Sequence, residues 1–277
     1  MIDQIIKLAL EEDLGDGDHS SMACIPENAK GVGNLLAKET GIVAGVGLAK
    51  RIYAAYDPNL EIDCFIQDGS IVNPGDIVYQ IKGSSRSILG TERLILNFMQ
   101  RMSGIATETR SIVELIKSTK CQLLDTRKTT PGIRALEKWA VTIGGGKNHR
   151  YGLYDMIMIK DNHIDYAGGI SEAIGRTKEY LELRNLKLKI EIEVRNEKEL
   201  NEVLVEGGVD RIMFDNFKPE NISRIISTIP NNIETEASGG ITKDNILSYA
   251  ETGVDFISSG SLTHSVKALD LSLKAIF

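Results

Sequence analysis

The sequence predicts an α/β protein in which an N-terminal α+β sandwich domain precedes an incomplete βα barrel of six or seven strands. Three observations lead to this prediction. Short β-like runs separated by turn signals fill residues 30–82, whereas from residue 121 onward short apolar runs alternate with helical patterns. Repeated βα units imply parallel strands that are covered by helices. A complete eight-stranded barrel typically needs about 250 residues, and the segment after residue 121 is shorter.

The N-terminal region mixes helices with its strands. Residues 46–56 have apolar residues at helical spacing, and residues 87–117 predict a longer helix that is interrupted near Ser103 and Gly104. We therefore place the N-terminal domain at residues 1–104 and the barrel at residues 105–277. A last helix is expected to be able to pack back on the N-terminal domain.

The barrel segment contains six readable strands. Helical patterns lie between them, and the helix after the third strand has a clear start signal, Asn196 with Glu199 three residues on. The predicted strands cover residues 121–126, 156–160, 188–194, 211–215, 233–237 and 255–259.

Charge is unevenly distributed along the chain. The 39 residues from 125 to 163 contain seven Lys or Arg and four Asp or Glu, a net charge of +3, within a chain of net charge −7. The rest of the chain therefore carries −10. A cationic island in an acidic protein predicts a site for a small anion. Nucleic acid is not a predicted partner, because it would require a broad basic face.

Membrane and disulfide signals are missing from the sequence. No apolar run approaches the ~20 residues that span a bilayer, and the N-terminus turns acidic, unlike a secretory signal. Cys24, Cys64 and Cys121 are odd in number and lack CxxC spacing. We therefore predict neither disulfides nor a zinc site, no membrane partner, and a cytoplasmic protein.

Each predicted barrel strand ends in charged, polar or glycine residues. In a βα barrel the C-terminal strand ends converge on one mouth, where active sites lie, so residues distant in sequence form one ring. In chain order these ends are residues 125–128, 160–162, 191–193, 215–216, 236–240 and 258–260.

The residue types at these ends predict a chemistry. Gly and Ser after the last two strands suit a phosphate bound by backbone N–H groups. Glu193 and Asp215 are spaced to hold Mg²⁺, or to meet the hydroxyls and developing positive charge of a ribose. Cations of the first half would form a pocket for a di-acid, since arginine matches carboxylates bidentately. These cations are Arg127, His149, Arg150 and Lys160. Together the features predict a phosphoribosyl transfer.

Long motifs strengthen this hypothesis. The chain contains DTRKTTPGIR, GGGKNHRYGLYD and IKDNH, followed by EIEV, DN, EASGGI and GSLTHS. These motifs resemble the quinolinate phosphoribosyltransferase family (nicotinate-nucleotide pyrophosphorylase, carboxylating) of type II phosphoribosyltransferases. The resemblance runs in order from about Glu12 to the C-terminus, and the long motifs make it highly specific. Thr130 and Ala237 depart from the family pattern, and neither removes a donor from the proposed site.

The resemblance implies an enzyme of NAD biosynthesis, a pentosyl glycosyltransferase. It would transfer a phosphoribosyl group from phosphoribosyl pyrophosphate to quinolinate, giving nicotinate mononucleotide, pyrophosphate and CO₂. Lys128, Glu193 and Asp215 would be catalytic, and the two carboxylates would also hold Mg²⁺. The residues that would bind phosphoribosyl pyrophosphate are Lys128, Glu193, Asp215, Ser238, Gly239, Gly240, Ser259 and Gly260.

The resemblance also implies a homodimer with shared sites. The two carboxylates of quinolinate would contact the cations Arg127, His149, Arg150 and Lys160. Arg93 would reach in from the second subunit, whose N-terminal domain covers the neighbouring site. Whether dimers assemble further is left open.

Two alternative functions stay open. The first is a related type II phosphoribosyltransferase that acts on nicotinate, or a molybdenum-associated paralogue; nicotinate has one carboxylate and needs fewer cations. The second is a non-catalytic phosphosugar-binding barrel with a carrier-like N-terminal domain. The presence of Lys128, Glu193 and Asp215 argues against the second.

Overall fold

The chain divides into two compact units. In the computed structural model, which describes residues 1–276, the boundary predicted after residue 104 falls inside one continuous helix, Ser85–Ile116. The units differ from the predicted domains because two later segments make their contacts with the N-terminal residues. The first unit comprises residues 1–111, 128–145 and the segment from Ser261 onward, and the second comprises residues 112–127 and 146–260.

The first unit contains the predicted, mostly antiparallel sheet. With elements numbered in chain order, its strands are β1 (Lys30–Ala37), β2 (Gly41–Ile42), β3 (Glu61–Cys64), β4 (Ile71–Val72), β5 (Ile77–Ser84) and β12 (Leu271–Ile276). Its helices are α1 (Ile2–Leu14), α2 (His19–Cys24), α3 (Val46–Tyr56), α4 (Ser85–Ile116, of which residues 112–116 belong to the second unit), α5 (Arg134–Gly144) and α11 (Ser261–His264). Four strands pair antiparallel in the order β12-β1-β5-β3, and β2 pairs with β4.

The last described element is the strand β12, and the last helix, α11, also belongs to the first unit. β12 pairs antiparallel with β1, from Ala37 opposite Leu271 to Val32 opposite Ile276. Its sequence LSLKAI has apolar residues at every second position, which is the period of a strand rather than of a helix. The chain therefore returns to complete the sheet in which it began.

Helix α4 passes through Ser103 and Gly104 without the predicted interruption. The Ser103 hydroxyl accepts from the N–H of Ala44 at 2.9 Å and donates to its carbonyl at 3.2 Å. A Cβ at residue 104 would lie 2.2 Å from the backbone oxygen of Lys267. The small residues therefore permit two close backbone approaches, and they do not break the helix.

Substitution of Gly104 by Ala is expected to destabilise the protein by about 2 kcal/mol, because overpacking against backbone outweighs the roughly 1 kcal/mol that Ala gains in a helix. Gly175, within α7 (Ile170–Leu183), is the matched control, since a Cβ there meets nothing within 4 Å. Urea unfolding should show loss of stability for Gly104→Ala and a small gain for Gly175→Ala. Equal changes in the two variants would contradict the close approach at Gly104.

The second unit is the predicted parallel sheet with its helices. Its strands are β6 (Gln122–Leu124), β7 (Ile157–Ile159), β8 (Ile190–Val194), β9 (Arg211–Asp215), β10 (Glu234–Ser238) and β11 (Phe256–Ser258). Its helices are α6 (Asp161–Ala167), α7 (Ile170–Leu183), α8 (Glu197–Glu206), α9 (Pro219–Ile225), continued by a 3-10 turn (Ile226–Thr228), and α10 (Ile246–Ala250). All six predicted strands are confirmed, and Asn196 caps α8 by accepting from the N–H of Glu199.

The strands of the second unit follow the order β6-β11-β10-β9-β8-β7, and every pair is parallel. β6 and β7 are the two edges of this ladder within the described residues, 1–276. The ladder is therefore the six-stranded, incomplete barrel that the sequence predicts. None of the helices in residues 1–276 combines the length and the low polarity that crossing a membrane requires.

The two faces of this sheet differ in polarity. Strands buried on both faces usually read as continuous apolar runs, yet β8 reads IEIEV with all five residues buried. Alternate side chains point to opposite faces, so Glu191 and Glu193 share one face. Arg211 lies level with Glu191 on one side and with Glu234 on the other. One face of the sheet is therefore charged, while the opposite face forms an apolar core.

Candidate active site

The loop after β6 and residues 147–150 lie side by side in the second unit. The N–H of Lys147 donates to the carbonyl of Leu123 at 2.8 Å, and the N–H of Asp125 donates to the carbonyl of Lys147 at 3.1 Å. The fully buried Asp125 carboxylate accepts from the N–H of His149 at 2.8 Å. These bonds hold together the two segments that carry Arg127 and Arg150.

Arg127 and Arg150 form a local concentration of positive charge. Partial burial and the charge of Arg127 lower the pKa of Arg150. The Arg150 Nη1 donates to the carbonyl of Met156 at 3.2 Å. Within residues 1–276 no carboxylate forms an ion pair with either guanidinium. The charges of Glu191 and Asp155 offset part of the repulsion between the two cations, and a bound anion would relieve the rest.

Lys160 lies at the end of β7 and contacts the end of β8. Its Nζ is 3.0 Å from Oε2 of Glu193, and the lysine side chain is 45% exposed against 11% for the glutamate. Its backbone N–H donates to Nδ1 of His163 at 2.9 Å, which caps α6. His163 therefore has a structural role at the start of α6. Lys160 and Glu193, one predicted cation and one predicted carboxylate, are in direct contact.

Glu193 and Asp215 lie near the ends of the neighbouring strands β8 and β9. Glu193 lies level with Met213, and Asp215 is two residues further along β9, on the same face of the sheet. The Asp215 carboxylate accepts from Nδ2 of Asn216 at 2.9 Å. Carboxylate oxygens are the ligands that Mg²⁺ prefers, so the donor chemistry of these two residues fits the predicted ion.

The turn after β10 is shaped by glycines. Gly239 and Gly240 have φ of 89° and 61°, in the left-handed region. A Cβ at Gly239 would lie 2.3 Å from Oδ1 of Asn216, whose own N–H donates to the carbonyl of Ser238 at 2.9 Å. The turn therefore needs glycine, and it places the predicted phosphate residues next to the end of β9.

The end of β11 adjoins that of β6. The N–H of Ser259 donates to the carbonyl of Leu124 at 3.1 Å, and Ser258 Oγ donates to Ser238 Oγ at 3.2 Å. Ser259 and Gly260 thus continue the row of strand ends. The N–H of Ser259 is therefore used within the protein.

Two predicted residues belong to the first unit. The carbonyl of Lys128 accepts from the Thr263 hydroxyl at 2.7 Å. Arg93 is an exposed residue of α4, and its guanidinium makes no hydrogen bond or ion pair within residues 1–276. The second unit therefore brings together the remaining predicted residues, namely Arg127, His149, Arg150, Lys160, Glu193, Asp215, Ser238, Gly239, Gly240, Ser259 and Gly260.

A buried ionic network fills the charged face of the sheet. His149 Nε2 lies 3.0 Å from Glu191 and 3.4 Å from Glu236. Arg211 Nη1 lies 3.1 Å from Glu236 and 4.0 Å from Glu191, and its guanidinium stacks on Phe256 at 4.3 Å. All these carboxylates are almost inaccessible, so the charges must balance within the network.

The network holds a proton at neutral pH. Burial lowers the pKa of His149, but its hydrogen bonds to Glu191 and Glu236 and their charges outweigh burial and raise it to about 9. Burial and the charge of Glu236 also raise the pKa of Glu191. An extra proton on the His149–Glu191 pair balances the network, in which Glu236 and Arg211 are charged.

This arrangement changes the interpretation of His149. Both of its nitrogens face protein groups, which favours a positioning role over the direct substrate contact that was predicted. Ligand atoms of His149, Glu191 and Glu236 lie within 4.8 Å of one another, as in a metal site. Arg211 already supplies the positive charge that a cation would add there, so we interpret the cluster as an ion-pair network.

Sequence reasoning gave Arg211 no role and treated Glu191 and Glu236 only as strand-end residues. A signal was present, because IEIEV and ETEAS each place two glutamates two residues apart, and RIMFD places Arg211 and Asp215 four residues apart, on one face of each strand. In a parallel sheet with helices packed on one face, such alternation indicates that the opposite face is polar.

The parallel sheet, with cations, carboxylates and glycine turns at its strand ends, is that of a βα-barrel enzyme acting on small anions. Residues 18–103 match the description "Quinolinate phosphoribosyl transferase, N-terminal domain", and residues 105–274 match the corresponding C-terminal domain. The chain therefore belongs to the quinolinate phosphoribosyltransferase family, as its motifs predicted.

Individual relatives agree with this assignment. The chain is 46% identical to "Quinolinate phosphoribosyltransferase [decarboxylating] 1b" of Nicotiana tabacum over 98% of its own length and 81% of the relative's. It is 47% identical to "Nicotinate-nucleotide pyrophosphorylase [carboxylating], chloroplastic" of Arabidopsis thaliana, with the same coverage of 98% and 81%. The crystal structure of NadC from Streptococcus pyogenes superposes with a TM-score of 0.93 at 39% identity, covering 100% of this chain and 98% of that one.

Proposed function

We propose that the protein transfers the phosphoribosyl group of phosphoribosyl pyrophosphate to quinolinate and decarboxylates the product. The products are nicotinate mononucleotide, pyrophosphate and CO₂, and the reaction belongs to NAD biosynthesis. Mg²⁺ is the proposed cofactor, a homodimer the proposed assembly and the cytoplasm the proposed location. The names of the Nicotiana and Arabidopsis relatives support the activity.

One observation in particular supports a dicarboxylate as substrate. Arg127 and Arg150 lie close enough for the charge of one to lower the pKa of the other, and no carboxylate within residues 1–276 pairs with them. Lys160 adds a third cation at the end of β7. Two carboxylates of one planar ring would supply the missing counter-charge, whereas a single carboxylate would leave cations unbalanced.

The positions of the Glu193 and Asp215 carboxylates are consistent with binding of the phosphoribosyl group. Glu193 and Asp215 share one face at the ends of adjacent strands, next to the glycine turn after β10. Backbone N–H groups of such a turn can bind the 5′-phosphate, while the carboxylates face the ribose. Mg²⁺, when bound, would neutralise the charge of the pyrophosphate and so make it a better leaving group.

The chain's own groups then support two bond changes. The bond from ribose C1′ to pyrophosphate breaks, its electron pair leaves with pyrophosphate, and the negative charge of Glu193 and Asp215 stabilises the oxocarbenium-like ribose. The lone pair of the quinolinate nitrogen forms the new bond to C1′. The bond from ring C2 to its carboxylate breaks next, the electron pair stays on C2 beside the cationic nitrogen, and a proton from water replaces CO₂. No protein nucleophile is needed.

Arg150→Ala and Lys160→Ala are each expected to weaken quinolinate binding, because a carboxylate loses a charge-assisted contact. Such a loss costs on the order of 2–5 kcal/mol in a shielded pocket, and Lys160 should fall at the low end because its side chain is 45% exposed. Isothermal titration with quinolinate measures the effect. Lys198→Ala is the matched control, since this side chain is 87% exposed on α8. Binding within threefold of wild type in both site variants would remove these residues from the ring pocket.

One assay decides between the proposal and its alternatives. The protein is incubated with phosphoribosyl pyrophosphate, Mg²⁺ and either quinolinate or nicotinate, and pyrophosphate and CO₂ are measured. Both products with quinolinate alone support the proposal. Pyrophosphate with nicotinate and no CO₂ supports the related transferase, and no turnover with either acid supports a non-catalytic barrel.

A further inference from the structure

Arg101 and Glu137 form a buried ion pair in the first unit, and neither is among the residues assigned to the proposed reaction. Arg101 lies on α4 and Glu137 on α5. Oε1 of Glu137 accepts from Nε and Nη2 of Arg101 at 3.1 and 2.8 Å. The Glu137 side chain is completely inaccessible, whereas that of Arg101 is 27% exposed. Burial of an ion pair carries a large desolvation penalty, which further hydrogen bonds of its two members can offset.

The Glu137 carboxylate also accepts hydrogen bonds from the segment that follows Lys128. Oε2 of Glu137 accepts from the N–H of Thr130 at 2.9 Å, and Oε1 accepts from the Thr130 hydroxyl at 2.9 Å. The Thr130 hydroxyl therefore adds a second hydrogen bond between this segment and a buried charge.

The Arg101 guanidinium also donates hydrogen bonds to a different segment, residues 263–266. Nη2 of Arg101 also donates to the carbonyl of Thr263, and Nη1 donates to the carbonyl of Val266 at 3.5 Å. The Thr263 hydroxyl in turn donates to the carbonyl of Lys128 at 2.7 Å. Lys128 is thus held from both ends of the ion pair, through Thr130 on the side of Glu137 and through Thr263 on the side of Arg101.

We infer that Arg101 and Glu137 are positioning residues that fix the backbone of Lys128 for the pyrophosphate of the phosphoribosyl donor. The inference rests on the proposed function for the identity of that ligand. Neither residue touches the substrates; both act through Thr130 and Thr263. Loss of the ion pair therefore weakens use of phosphoribosyl pyrophosphate and leaves the quinolinate pocket of the second unit intact.

The test uses Thr130→Val, which removes one hydroxyl from an exposed residue and keeps the buried ion pair. We expect KM for phosphoribosyl pyrophosphate to rise about tenfold, the value of one hydrogen bond to a charged group, with quinolinate affinity unchanged. Glu137→Gln should show a larger rise in the same direction. Thr142→Val is the control, since within residues 1–276 the Thr142 hydroxyl donates only to the carbonyl of Trp139, on the exposed side of α5.

Hydrogen exchange provides a readout that does not depend on activity. In Glu137→Gln the N–H of Thr130 loses its carboxylate acceptor and should exchange about tenfold faster or more. The peptide that covers residues 127–136 is compared with the same peptide in Thr142→Val. If Glu137→Gln is unstable, Arg101→Met combined with Glu137→Gln removes both charges at once and serves in its place.

The outcomes separate this inference from the proposed function. If the wild-type protein does not turn over the two substrates, the proposed function is wrong. Faster exchange of the Thr130 N–H in Glu137→Gln would still show that the ion pair holds this segment in place. Active wild type with a KM for phosphoribosyl pyrophosphate raised threefold or more in Thr130→Val, at constant quinolinate affinity, supports the inference. A smaller rise, or equal rises for both substrates, overturns it.

Discussion

Glu193→Gln is expected to lower kcat by about 10²–10³, the usual cost of removing one preorganised electrostatic group, while the protein stays folded. The substitution keeps the size of the side chain and removes its charge. Glu193 lies at the end of β8, with its side chain 11% exposed and paired with Lys160 at 3.0 Å. Its charge is therefore poorly screened, and it faces the position at which the proposed reaction develops positive charge.

The measurement is kcat with saturating phosphoribosyl pyrophosphate, quinolinate and Mg²⁺, together with a urea unfolding curve. Glu202→Gln is the matched control, because Glu202 pairs only loosely, at 3.8 Å, with Lys198 on the surface of α8. Asp215→Asn should resemble Glu193→Gln, since Asp215 ends the adjacent strand on the same face. A folded Glu193→Gln protein with wild-type kcat and unchanged Mg²⁺ dependence would rule out the proposed role.

Arg93→Ala and Lys128→Ala are each expected to be nearly inactive, yet a mixture of the two should regain about a quarter of wild-type activity. Arg93 is exposed and has no partner within residues 1–276, which fits a residue that serves the site of a second copy. In a two-fold dimer that exchanges subunits, about half of the dimers contain one chain of each kind. Each mixed dimer has one site with both residues and one site with neither.

Subunit exchange is verified first, by native mass spectrometry of the mixture. The control pairs Lys128→Ala with Glu193→Gln, whose residues would both come from the same chain, so one site of each mixed dimer lacks only Lys128 and the other lacks only Glu193. That mixture should stay inactive. Verified exchange between Arg93→Ala and Lys128→Ala without recovery would mean that Arg93 acts within its own chain or plays no part.

The barrel strands were predictable because their signal is local. Each is a short apolar run followed by polar or glycine residues, and β8, β9 and β10 match the predicted ranges within two residues at each end. The strand ends were predictable for the same reason, since in a parallel sheet their position follows from the strands alone. The cations and carboxylates at these ends were therefore recognisable as candidate site residues before any contact was known.

The features that local patterns did not reveal are contacts between distant segments. Gly104 has the composition of a helix break, and only the backbone of Lys267 explains why a continuous helix needs it. His149 lies in a cationic motif, and its burial against Glu191 and Glu236 depends on the register of strands about 40 to 90 residues away in sequence. Such pairings are set by the whole fold, so local patterns do not reveal them.

The pairing of β12 with β1 also constrains how the protein folds during synthesis. Residues 271–276 are synthesised after the other strands of this sheet, and until they pair, β1 presents an open edge of hydrogen-bonding groups. The second unit, which ends at Gly260, has all its residues earlier and can form its sheet first. Synthesis of the first unit therefore starts before that of the second unit, and its sheet is completed after the second unit has been synthesised. Chains cut before Leu271 would retain the open edge of β1 and, with it, a tendency to pair with one another.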